Sequence, residues 1–247
     1  YKLSSDKDLI AYGLDKLSFN TPHTIVEGFR GIGLSPTKWL GKKEFYDSFD
    51  KFVPCITLSG DKAYFWSKYN HVRIDFDGLK ERILNSEWYR KGLQYHEYGH
   101  AKSALQGNWE GNADFKNLYK RFFADYNKPE YRYVDGEGVS QWKIADRLSE
   151  ELKLVKDKTY DVMEQFGKIS DTLQAIDKDH NWIQGMLGHE VDYFASSSHN
   201  CLAEIIAHLS ENYWSNNKYF KKVLPRLYNE AVALYEKYYK LNKPTKR

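Results

Sequence analysis

Cysteine is nearly absent from this chain: Cys55 and Cys201 are the two it contains. Two cysteines cannot build a disulfide framework, and the close Cys pairs of a thiolate zinc site are missing. They can form one bridge or stay two thiols, and the sequence leaves both open. Long apolar runs are absent as well. None approaches the roughly 18 residues that a membrane-spanning helix needs, so no membrane partner is expected. No secretory leader is visible, and the first residue is Tyr1 rather than Met. The chain is therefore read as a processed product or a piece of a longer polypeptide. An excess of charge of one sign is also missing: 37 basic against 34 acidic side chains leave +3, too little to argue for nucleic acid. From residue 218 onward nine Lys and Arg stand against Glu230 and Glu236. A solvated basic end explains them more simply than a nucleic-acid contact does.

What is present is a chain of 247 residues, 16% of them aromatic, with 20 Tyr. That length can bury a core without staples, and it is read as a single domain over 1–247. Residues 3–17 (LSSDKDLIAYGLDKL) read as a short helix capped near Ser5, and residues 18–50 as irregular. Three runs rich in β-branched and aromatic residues follow: VPCITL (53–58), KAYFWS (62–67) and HVRIDF (71–76). SGD and KYN separate them as turns and an Asp-Gly pair at 77–78 closes the set. They predict a small antiparallel or mixed sheet. Beyond it the pattern is helical. Asn85 or Ser86 can cap a helix running to about Gln106, with Gly107 as its stop. Asn112 or Asp114 opens the next helix. Residues 127–138 read as a loop. Residues 139–176 read as one long helix or a hairpin broken near 156–158 or at Gly167. Helices are expected around 200–213 and 225–241, the last with a buried stripe of Leu227, Ala231, Leu234, Tyr238 and Leu241. The expected class is a mostly helical α+β fold with a small sheet ahead of the helix over 86–106.

That helix carries QYHEYGHAKS (94–103). Positions i and i+4 lie one above the other on a helix, so His96 and His100 can turn their imidazoles toward one ion. Gly92, Leu93, Ser103 and Ala104 on the same side leave room for it. Glu97 projects about 100° around the axis, beside the ion rather than on it, where it can take a proton from water. The bland alternative is a pair of partly buried histidines held by ordinary hydrogen bonds. Zinc would need a third protein ligand and an open position. The extended pattern that places a third His just downstream is absent, because Ser103 and Gln106 stand there.

The third ligand must come from elsewhere. In SHNCLAEIIAHLSENYW, Leu202, Ile205, Ile206, Leu209 and Tyr213 form an apolar stripe, flanked by Cys201, Glu204, His208 and Glu211. A carboxylate on that flank is costly to desolvate unless paired or metal-bound. Glu204 is the expected ligand, with an exposed helix glutamate as the alternative, and His208 would orient the site. Asp192 in LGHEVDYF (187–194) is a competing ligand. His189 and Tyr193, and His199 near them, suit a different role, because a Tyr or His donor often shares the oxyanion of amide hydrolysis with the metal. His189 and Tyr193 are the candidates, against a loop histidine and a packed aromatic. His23, His71 and His180 have no motif around them and are read as structural or surface residues.

HEYGH with a distant Glu on a later helix resembles the gluzincin branch of the zincin metallopeptidases. EIIAH (204–208) resembles the E-x-x-A-D segment of some members, with His208 where Asp would stand. A closer resemblance spans about 62–240 apart from the middle. Peptidase-like domains of phage minor head proteins of the Mu F type show a similar order. That order is a strand, an H-E-x-G-H helix, a segment like ISDTLQAI (169–176), a G-H-x-x-x-Y-F stretch (188–194) and an E-x-F-A helix, in which Ile206 replaces the usual aromatic. Residues 108–168 would then be a helical insertion. The resemblance implies a zinc-dependent peptidase of zincin-like fold with a protein or peptide substrate. It also implies a place in a phage virion or bacterial cytoplasm, secretion being the alternative.

The expected chemistry is hydrolysis with zinc on His96, His100 and Glu204, Glu97 as base, and Tyr193 or His189 on the oxyanion. HVRIDF is the expected edge strand for an extended substrate. The rival is a non-catalytic structural or interaction domain built on the same scaffold.

Overall fold

A computed structural model describes residues 36–49, 53, 55–56, 60–126, 128–138, 140–176, 189, 193–194 and 201–239. The expected helix near Ser5, the tail beyond 239, and His23, His180, Asp192 and His199 lie outside them. The described residues are mostly helical with two small sheets, so the expected α+β class holds. They fall into two compact units divided between Gly107 and Asn108.

In the first unit the segment expected to be irregular contains two short helices, α1 (Pro36–Trp39) and α2 (Lys43–Asp47). Pro36 opens α1 because its fixed φ suits a first helical position. Strands β1 (Cys55–Ile56), β2 (Ala63–Trp66) and β3 (His71–Ile74) form one sheet in the order β1-β3-β2. It is mixed: β2 pairs antiparallel with β3, and β1 pairs parallel. The Lys-Tyr-Asn turn forms as expected, with Asn70 at φ 48° closing it. Val72 and Ile74 point into the core and alternate with half-buried His71 and Arg73, the period of a strand with one covered face.

Two expectations fail here. HVRIDF is not an edge: both sides of β3 are paired, and among the described residues β1 and β2 carry the edges. The Asp-Gly pair at 77–78 does not close a hairpin either. It lies in the first turn of α3 (Phe76–Asn85). Gly78 is needed there for close approach. Its N–H donates to Gly60 O at 2.7 Å, and a Cβ would stand 2.4 Å from the Asp61 Cβ.

Helix α4 (Glu87–Leu105) then runs over the sheet. In the second unit, α5 (Ala113–Tyr126) is opened by Asn112, whose Oδ1 accepts from Asp114 N at 2.8 Å. Phe115, Leu118 and Phe122 are buried along it. The stretch read as a loop (127–138) contains β4 (Arg132–Val134), and the start of the stretch read as helix is β5 (Ser140–Trp142), which pairs with it as a hairpin. Exposed Tyr133 and Val134 give it no apolar alternation to detect. Next come α6 (Lys143–Leu154) and α7 (Tyr160–Ile176), so the break falls at 155–159 and Gly167 is helical and buried. Helix α7 runs on past 168 without interruption. Helix α8 (Cys201–Trp214), short α9 (Phe220–Val223) and α10 (Pro225–Tyr239) complete the unit.

Helices α7 and α8 pack against one another and are its spine. Every residue of α7 from Gln165 to Ile176 is buried. On α10 the buried residues are Leu227, Ala231, Tyr235 and Tyr239, while Leu234 and Tyr238 are half-buried. The expected stripe is rotated because Tyr235 and Tyr239 pack with centroids 4.2 Å apart, their planes tilted by 33°, and bury their rings. Tyr235 accepts from Trp214 Nε1 at 2.6 Å and bonds Ser210 at 3.0 Å, which fastens α10 to α8.

Candidate metal centre

In the first unit, α4 carries His96, Glu97 and His100. Its start is fixed by Ser86, whose Oγ accepts from Tyr89 N at 2.8 Å. Its end is fixed by Gly107 at φ +106°, a conformation that glycine reaches without strain. One face is bolted to the preceding chain. Tyr95 Oη accepts from Lys42 N at 2.6 Å, Gln94 Nε2 donates to Trp39 O at 2.6 Å, and Tyr98 Oη donates to Val53 O at 2.9 Å. Lys102, fully buried, donates to Ser48 O. Phe45 sits against Tyr95 and Tyr98 with centroids 4.8 and 6.2 Å away. Residues 94, 95, 98 and 102 are therefore committed to structure, and the helix cannot rotate to hide another face.

His96 and His100 are on that other face. Their ring centroids are 5.0 Å apart and their planes stand at 82°. His96 is buried and His100 half-buried. Glu97 is only 5% exposed, a burial that costs a carboxylate dearly unless it has partners or a function. Its charge is felt on β1. Burial pushes the Cys55 thiol up strongly, and Glu97 adds to the rise. Neither cysteine is in a disulfide.

In the second unit, α8 carries Glu204, the expected third ligand. The flank expected beside its apolar stripe is itself buried: Glu204 is 9% exposed, and His208 and Glu211 are at 0%. Glu204 is thus not an exposed helix glutamate. The turn Trp109–Gly111 packs on α8, where burial raises the Glu110 carboxyl and the negative charge of Glu204 raises it further.

Further along α8 lies an array that the sequence only half discloses. His208 Nδ1 is 3.3 Å from Glu211 Oε2. Lys168 Nζ lies 3.9 Å from Glu211 Oε1 and 3.7 Å from Asp171 Oδ2. Asp171 in turn holds His189 twice: its Oδ1 accepts the backbone N–H at 2.7 Å, and its Oδ2 faces Nδ1 at 3.1 Å. Burial alone would raise Asp171, but His189, Lys168 and His208 outweigh it and hold the carboxyl at about 2. Tyr193 stacks on the His189 ring, centroids 3.9 Å apart and planes 17° from parallel. His189 and Tyr193 are therefore together, with the imidazole oriented by a carboxylate. His71 takes no part; it packs edge-on against Trp66 at 5.5 Å.

Asp171 and Lys168 are the residues that sequence reasoning misses. The signal that could have found them is their i, i+3 spacing within a helix whose neighbours are Phe166, Ile169 and Leu173, a place where charges survive only in pairs.

No family model matches the chain, and no curated protein or solved structure matches it. The likeness to zincins rests on the sequence motifs.

Proposed function

We propose that this chain is a zinc-dependent peptidase. The observation that carries the reading is the pair of imidazoles 5.0 Å apart on one face of α4 with the buried carboxylate of Glu97 between them in sequence. A structural site has no use for that glutamate. The donor set expected from the sequence fits zinc: two imidazoles, His96 and His100, and one carboxylate, Glu204, leave one position open.

Zinc held there would polarise a peptide carbonyl and bring the pKa of water near 7. Glu97 would take the proton from the attacking water and pass it to the leaving amine. His189, its Nδ1 turned to Asp171, would present its other nitrogen to the developing oxyanion, and Tyr193 would keep the ring from rotating. This favours His189 over Tyr193 as the donor. With β3 paired on both sides, β1 is the proposed sheet edge for an extended substrate, since its Cys55 lies within the field of Glu97.

The test is Glu97→Gln in a peptide-library cleavage assay with metal content measured in parallel. The variant is expected to keep zinc and lose at least about 10²-fold in kcat. Undiminished cleavage would remove Glu97 as the base. Bound zinc without cleavage in the unaltered chain would favour the rival, a non-catalytic interaction domain.

A further inference from the structure

The ammonium of Lys168 lies inside the second unit with its side chain 9% exposed, between two carboxylates that are 1% and 0% exposed. Each of those carboxylates faces the Nδ1 of an imidazole, Asp171 facing His189 and Glu211 facing His208. Four groups from α7, α8 and the segment at 189 thus meet around one lysine. We infer that Lys168 is a positioning residue that sets the orientation of both imidazoles through their carboxylates.

Charge and geometry lead to this role. Asp171 and Glu211 are borne by two helices packed on each other. Two carboxylates in a buried place repel, and the repulsion is strong where water is excluded. Lys168 removes it from within. Its distances of 3.7 and 3.9 Å are longer than hydrogen bonds, so it acts as a central charge rather than as a donor to one acceptor. The Asp171 Oδ2 atom faces both Lys168 and His189. On Glu211 the two oxygens divide the work, Oε1 to Lys168 and Oε2 to His208. Each carboxylate is thereby turned so that a lone pair meets Nδ1, which fixes the tautomer of the ring. Without Lys168 the carboxylates would swing apart, and the rings with them. For His189, the inference rests on the peptidase reading in what the ring is oriented toward; the orientation itself does not depend on it.

Histidine-labelled protein gives a readout separate from catalysis. Nitrogen-15 NMR is expected to show Nδ1-protonated rings at His189 and His208, assigned with His189→Asn and His208→Asn. In Lys168→Met, circular dichroism confirming the fold, both rings should lose that single tautomer. Lys168→Arg, which keeps the charge, should restore it. Where Lys168→Met does not fold, Lys168→Gln carries the same comparison. In the peptide assay, the neutral variant should lose roughly tenfold to a hundredfold in kcat with KM unchanged, the size expected of a misplaced group. Unchanged tautomers and unchanged kcat in the neutral variant would overturn the inference. Lost tautomers in a chain that cleaves no peptide would uphold Lys168 and reject the peptidase reading.

Discussion

Asp171 is an ionised carboxylate in the middle of a buried helix, and that has a measurable consequence. Its folded pKa of about 2 lies below the ordinary value of 3.8. A depressed carboxyl adds stability that is complete above the ordinary pKa and is lost as pH falls through the folded one. Asp171 should therefore contribute roughly 2 kcal/mol above pH ~4, fading between about pH 4 and 2. Chemical denaturation across that window should show a steeper loss for the unaltered chain than for Asp171→Asn. Parallel slopes would contradict the assignment. The window lies below the range in which histidines bind metal, so zinc does not confound it. Glu97 and Glu204 are two further carboxylates kept from solvent near the candidate centre. A chain does not hold such groups by default, and each must answer to a partner or a function.

Among the elements, α4 is the most open to a simple substitution. Its N-cap is one hydroxyl, Ser86 Oγ. Ser86→Ala should cost about 1 kcal/mol, seen as a lower midpoint in thermal unfolding with the metal-binding residues untouched. An unchanged midpoint would mean the cap is dispensable. This helix is legible in the sequence because its signals are local: the capping serine, the stop at Gly107, and the i, i+4 histidines. Other elements are less so. The helix at Phe76–Asn85 is hidden by Asp77-Gly78, which imitates a turn. Its glycine answers instead to the approach of Gly60 and Asp61, which no local pattern encodes. The hairpin of β4 and β5 is hidden because Tyr133 and Val134 face water. Strand order is not legible either, since β1 reaches β3 by a parallel crossover rather than by adjacency. At the site, the motif on α4 can be read residue by residue. Asp171 and Lys168 show only as an i, i+3 pair within an apolar helix; their other partners are 18 and 43 positions away, at His189 and Glu211.

The molecule as a whole divides into two compact units after Gly107, and no described helix is long and apolar enough to cross a membrane. The peptidase proposal draws His96 and His100 from the first unit and Glu204 from the second. The catalytic reading stands on that donor from a distant helix. It is tested most directly by calorimetric titration of the metal-free protein with zinc, comparing the unaltered chain, Glu204→Gln and Asp192→Asn. One zinc per chain is expected, with an affinity weakened by more than about a hundredfold in Glu204→Gln and no change in Asp192→Asn. Equal zinc affinity in Glu204→Gln and the unaltered chain would contradict the proposed centre.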